Sequence, residues 1–265
     1  METCFFMNHA SFIVIFITDR FYSSMVKQRV LFIFLCAVLF LAGCRKERQG
    51  SDNDYKTLGT SANELLSSAV YTTLKIEISY MPGYKPPEAS INDLVLFLEK
   101  YLNKPGGIQI AWQAIAANGK PFLTLNDVVN IERKSRLSFT DGNTLAVHVL
   151  FTDAAYANPD NLALSYWNTS ICLFGKAIES KLTGITSVGK SNVYSTLLQH
   201  EFGHLLGLVG QGSPQQVAHR DDDNGAHCAN KQCLMYYQIE TNVPSLNVPQ
   251  LDAHCISDLK ANGAK

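Results

Sequence analysis

Excess charge of either sign is missing from this chain: 22 Lys and Arg stand against 23 Asp and Glu, for a formal net charge of −1. Without a basic excess there is no electrostatic footprint for a phosphate backbone, so no nucleic-acid partner is expected. An apolar run long enough to cross a bilayer is missing too. The best stretch, Leu31 to Leu41, is about a dozen residues against the roughly 20 a spanning helix needs. Internal repeats are also lacking, which excludes solenoid and propeller arrays. What remains, at 46% hydrophobic and 17% charged residues, is the composition of one globular domain plus apolar targeting sequence.

The short apolar run has the layout of an export signal. Met25-Val-Lys-Gln-Arg-Val30 is a basic n-region, Leu31 to Leu41 an h-region, and Leu41-Ala42-Gly43-Cys44 closes it. That ending resembles a bacterial lipobox, which implies cleavage before Cys44 and lipidation of its sulfur. On this reading residues 1–24 lie upstream of the true start at Met25, 25–43 are the signal peptide, and 44–60, polar and Gly/Ser/Asp/Asn-containing, are a flexible tether. The folded domain is expected over 61–265. The implied location is the bacterial cell envelope, lipid-anchored and facing the periplasm or the cell surface.

Of the seven cysteines, Cys4 and Cys36 fall in discarded sequence and Cys44 carries lipid, leaving Cys172, Cys228, Cys233 and Cys255. An even count in an exported domain predicts disulfides among these four, with Cys228–Cys233 the most local of the three pairings.

The chemistry is concentrated in Gln199-His-Glu-Phe-Gly-His-Leu-Leu-Gly-Leu208. Residues four apart share a helix face, so His200 and His204 can offer imidazole nitrogens to one ion with Glu201 beside it. Two neutral nitrogens, an open position for water and an adjacent carboxylate are what a zinc hydrolase requires. Val193, Leu197, Leu198, Phe202, Leu205, Leu206 and Leu208 give the helix a wide apolar stripe for burial. Gly207 can then stop it in a left-handed conformation and turn the chain back under the metal.

The segment resembles the metzincin metalloproteases, with their H-E-x-x-H-x-x-G-x-x-H/D motif and Met-turn. The match holds through Gly207 and breaks at Gly210, where the family has its third ligand. His227, Cys228, Cys233 and Met235 reproduce the archaemetzincin spacing of His-Cys, four residues, Cys, one residue and Met. The resemblance therefore implies His227 as third ligand after an insertion, with His219 as the alternative. It also implies Met235 as the Met-turn and Tyr237 as an astacin-like oxyanion stabiliser. The family's structural zinc uses a later C-x-x-C pair, for which this chain has only His254-Cys255. One catalytic Zn²⁺ is thus expected, with a second structural zinc, or Ca²⁺ at Asp221-Asp222-Asp223, disfavoured.

Along the rest of the chain, period-2 and period-3.6 patterns predict a strand at Thr72–Tyr80, a helix from Ser90, and a strand at 107–115. A helix over Thr124–Ser135 capped near Thr124 or Asn126, a central strand at Thr144–Phe151, and one edge-like strand at Ala163–Phe174 precede the active-site helix. A short helix is expected at Leu251–Lys260. His148, in an otherwise apolar strand, reads as a hydrogen-bonded core residue, and Asn168-Thr169-Ser170 is assigned no role. The fold class is α/β (α+β), metzincin-like, with a twisted mixed sheet and a loop-rich carboxyl-terminal half. The function expected is a membrane-tethered zinc endopeptidase acting on peptide or protein substrates. The rival readings are a zinc-binding surface protein without turnover and a zinc amide hydrolase with a non-protein substrate.

Overall fold

In the computed structural model, residues 52–238 and 247–265 are described. The signal peptide, Cys44 and the first part of the expected tether lie outside them. Folded structure begins earlier than Ser61. A 3-10 turn at Asp52–Asp54 carries Asp54 into the interior, and helix α1 follows at Ala62–Leu66.

Among the described residues seven strands follow in chain order: β1 Thr73–Tyr80, β2 Ile108–Ala114, β3 Phe122–Leu123, β4 Thr144–Thr152, β5 Ala155–Tyr156, β6 Ala163–Trp167 and β7 Ser170–Phe174. Between and after them run α2 (Glu88–Tyr101), α3 (Leu125–Ser135), α4 (Gly175–Lys181), α5 (Ser187–Leu205) and α6 (Ala253–Ala261). The main sheet has the order β2-β1-β4-β7-β6, parallel except for the antiparallel edge strand β6. β3 and β5 form a small parallel pair.

Where the sequence read one strand over 163–174, the chain makes a hairpin. Asn168 and Thr169 are its turn, and their side chains face inward to hold the amino-terminal segment. Asn168 Nδ2 donates to the Asn53 carbonyl at 2.7 Å and the Thr169 hydroxyl to the Asp54 carbonyl at 2.9 Å. Short polar residues suit a turn, and here their hydrogen bonds are long-range. Helix α2 likewise starts before Ser90, because Pro87, with φ of −57°, presets the first turn. Ser90 instead donates its hydroxyl back to the Pro87 carbonyl at 2.6 Å. The cap expected near Thr124 is present as a reciprocal box with Asp127.

Alternation along β4 divides the core. Leu145, Val147, Val149 and Phe151 join the cluster containing residues of α2 and α5, each such burial contributing about 1.5–3 kcal/mol. Leu150 faces the other way, into a smaller cluster with Val128 of α3 and Cys172. His148 is fully buried, with Nε2 3.0 Å from the Ser79 hydroxyl. Beside it Arg136 bridges Asp54 (3.2 Å) and Glu132 (2.8 Å), all three fully desolvated. Glu132 also accepts from the hydroxyls of Ser170 (2.8 Å) and Tyr166. Buried ions need such saturation to offset desolvation, and this cluster pins the β6–β7 hairpin to α3.

Candidate metal centre

Helix α5 is the longest of the described α-helices, and from Val193 to Leu205 it is buried throughout. Thr186 caps it by accepting from the Gly189 N–H at 3.2 Å. It packs against α2 on one side and β6 on the other, which fixes its rotation and so the direction of His200 and His204. At its end Gly207 takes φ of +77°, and a Cβ there would meet the Ser213 nitrogen at 2.5 Å. Ser213 then closes the terminus, its hydroxyl donating to the Leu206 carbonyl at 2.7 Å. Val209, fully buried, is held at φ of +54°, a conformation costing a β-branched residue about 1–3 kcal/mol. The chain therefore spends strain to leave the helix sharply.

The insertion that follows is a hairpin. Arg220 pairs with Cys228 in antiparallel fashion, the Ala229 N–H donates to the His219 carbonyl, and the Asp221 N–H to that of His227. Asp221 builds the turn, accepting from the Asp223 N–H at 3.2 Å and the Asn224 amide at 2.8 Å. Because neighbouring residues of an extended strand point to opposite sides, His227 and Cys228 serve different places.

His227 turns toward α5. Donor nitrogens of His200, His204 and His227 lie within 4.8 Å of one another, with the Nε2 atoms of His200 and His204 3.2 Å apart. Nδ1 of His200 sits 2.7 Å from the Leu234 carbonyl and Nδ1 of His227 2.7 Å from that of Asn224. A carbonyl accepts only, so both rings carry hydrogen at Nδ1 and present a lone pair at Nε2, as a metal-binding histidine does. Glu201 is fully buried beside them, with Oε2 2.7 Å from the Ser165 hydroxyl. These residues fit one zinc with three protein nitrogens.

Met235 lies beneath, fully buried, its sulfur filling the space a Cβ on Gly203 would need. Gly203 is thus the helix position where only hydrogen leaves room for the Met-turn. A Gly203→Ala substitution should destabilise the fold by about 1–3 kcal/mol through overpacking and weaken zinc retention. Denaturant midpoints and metal content measure the two effects. Tyr237 stacks edge-on with Tyr236 at 4.8 Å between ring centroids, and its hydroxyl accepts from the Gln238 amide at 3.3 Å. Its part in the chemistry rests on the resemblance alone.

His219 sits in a second cluster, away from the three histidines. Its Nδ1 is 3.4 Å from Cys228 Sγ and 3.9 Å from Cys255 Sγ, while Cys233 and Cys255 have their sulfurs 3.6 Å apart. Its Nε2 is hydrogen-bonded to Asp258 Oδ2 at 2.8 Å. Ligand atoms of His219, Cys228, Asp252 and Cys255 lie within 4.8 Å of one another, and the Asp252 oxygens accept from the Cys255 N–H at the start of α6 on one side and from the Asn230 amide and the Cys228 thiol (3.3 Å) on the other. Hydrogen bonds from the Cys228 and Cys255 thiols, with backbone N–H groups of Met235 and Asp252, pull the Cys233 thiol well below its ordinary range against the effect of burial. Three sulfurs, an imidazole and a carboxylate behind that imidazole fit a soft tetrahedral site.

The sequence reading missed this cluster, since it sought the fourth ligand near Cys255 and found only His254. The signal was present in His219, but nothing in its spacing told which site it joins. All four described cysteines are free thiols; Cys172 stands apart in the smaller core cluster, its thiol pushed up by burial.

The fold is a mixed α/β layer with a mostly parallel sheet, and it is archaemetzincin-like. Archaemetzincin from Methanopyrus kandleri matches with a TM-score of 0.50 over 72% of this chain and 96% of that one, at 12% identity. Metalloproteinase-II from Bacteroides fragilis matches with a TM-score of 0.40 at 16% identity, over 83% of this chain and 59% of that one. No protein-family model and no curated protein matches the sequence.

Proposed function

We propose that this chain is a zinc-dependent endopeptidase tethered to a bacterial membrane through a lipid on Cys44. His200, His204 and His227 are its metal ligands and Glu201 its general base. The observation that carries the reading is the convergence of three imidazoles on one point, with a buried carboxylate on the same helix and, among the described residues, no fourth protein ligand in the cluster. Structural zinc sites are closed by four protein ligands, whereas three leave a position for chemistry.

A zinc ion there supplies Lewis acidity, polarising a carbonyl and drawing the pKa of a coordinated water down to about 7. Glu201 takes a proton from the attacking water and passes it to the departing amine. The Leu234 and Asn224 carbonyls keep His200 and His227 in the liganding tautomer throughout. His219, Cys228, Cys233 and Cys255 would hold a second ion, in a structural role.

Purified protein should cleave casein or a mixed peptide library, stop after dialysis against a zinc chelator, and recover on adding Zn²⁺. Cleavage that persists in metal-free protein overturns the proposal.

A further inference from the structure

The edge strand β6 carries an irregularity next to the general base. Ser165 pairs with Ile171 and Trp167 with Ser170, so the register shifts across Tyr166, which has no partner of its own on β7. An extra residue in one strand is a bulge, a device that re-aims side chains and recurs beside active sites. Its two products here point to opposite faces of the sheet. The Tyr166 hydroxyl donates to Glu132 on α3, and the Ser165 hydroxyl lies 2.7 Å from Glu201 Oε2 and 3.0 Å from the Glu201 backbone carbonyl on α5.

The α3 side of this arrangement is rigid. Glu132 is fully buried and is also held by Arg136 at 2.8 Å and Ser170 at 2.8 Å, and Ser170 is the residue paired with Trp167. Tyr166 therefore anchors the bulge from one face, and Ser165 is presented from the other at a fixed height. A serine hydroxyl has one hydrogen to give. Given to Glu201 Oε2, it sets the rotation of the carboxylate, whose terminal torsion is otherwise broad.

We propose that Ser165 is a positioning residue for Glu201: its hydroxyl fixes Oε2 so that Oε1 is the oxygen that accepts and returns the proton. Ser165 keeps its own hydrogen throughout, and the transferred proton moves from water to Oε1 and then to the leaving group. The kinetic consequence rests on the peptidase reading, but the geometric one does not.

The test compares Ser165→Ala, Ser165→Thr and Glu201→Ala with the parent in zinc content, kcat and KM on a peptide, and calorimetric affinity for acetohydroxamate. That probe chelates zinc through two oxygens and hands a hydroxyl proton to the neighbouring carboxylate, so it reports the placement of Glu201 without turnover. Ser165→Ala should keep its zinc, lose about tenfold in kcat with KM within a factor of about two, and bind acetohydroxamate several-fold more weakly, as expected for one hydrogen bond to a charged group. Ser165→Thr, which restores the hydroxyl, should recover both quantities. Parent-level cleavage and binding in the alanine variant overturn the proposal, as do equal losses in both serine variants or a loss of zinc. If the parent binds zinc and acetohydroxamate yet cleaves no peptide, the peptidase reading falls, and the acetohydroxamate comparison still decides the role of Ser165.

Discussion

Replacing Glu201 with alanine should leave zinc in place and lower kcat/KM on peptides by about a thousandfold, within the 10²–10⁴ range of a positioned general base. The separation of binding from turnover follows from geometry. Donor atoms of His200, His204 and His227 form the three-nitrogen cluster without Glu201, and the carbonyls that fix two of the rings belong to Leu234 and Asn224. Removing the carboxylate therefore leaves all three ligands and the carbonyls that hold two of them. His200→Ala, by contrast, should lose the ion itself, and with it all activity. Zinc content by atomic emission and peptide kinetics on the same samples distinguish the two. A Glu201→Ala variant that cleaves as fast as the parent ends the general-base assignment. A parent that holds zinc but cleaves neither protein nor peptide would instead favour a binding protein without turnover or an amide hydrolase with a non-protein substrate. A substrate panel containing cell-wall amides separates those two.

How legible this site was depends on how local its determinants are. Helix α5 announces itself because ligand spacing, apolar stripe and the terminating Gly207 all lie within one contiguous segment. The pattern of β4 was equally plain, since alternation along a central strand is a property of its own nine residues. What failed depends on distant partners. The turn at Asn168–Thr169 was hidden because its side chains are satisfied by the chain near residues 53–54. The ordering of 52–60 was hidden because Asp54 needs Arg136, whose charge no local pattern pairs with it. For the two histidines of the insertion, motif spacing favoured His227 as the third ligand, the residue the structure groups with His200 and His204, but it said nothing of where His219 goes. Both histidines stand at the base of one hairpin, and their separation follows from strand pairing, with Arg220 opposite Cys228. Ser165 carries no sequence signal at all, because a bulge is a relation between two strands.

The same hairpin makes the second expected effect large. His219→Ala and Cys255→Ser should each reduce zinc from two equivalents to one and lower the unfolding temperature by more than about 10 °C. A structural zinc contributes on the order of 10 kcal/mol to the fold it closes, of which a loss of only a few kcal/mol shifts Tm that far in a domain of this size. The cluster ties together three separate pieces of chain: His219 in the insertion, Cys228 and Cys233 flanking the hairpin's return, and Cys255 on α6. Asp258 of α6 holds both His219 and the Gln216 N–H, so helix and insertion lose their common anchor together. The loss should reach the catalytic ion as well, because the two clusters share backbone. Cys228 follows His227 directly, and Cys233 precedes the Leu234 whose carbonyl fixes His200. Weaker retention of the remaining zinc against a chelator is therefore expected in both variants, with His227→Ala showing the opposite pattern of losing the catalytic ion and keeping the structural one. If His219→Ala abolishes cleavage and strips the catalytic ion while Cys255→Ser keeps full metal content, His219 is the third catalytic ligand and the thiols hold nothing. If the parent binds one zinc and titrates with two fewer free thiols than its cysteines provide, Cys233 and Cys255, 3.6 Å apart, are joined covalently instead of through a metal.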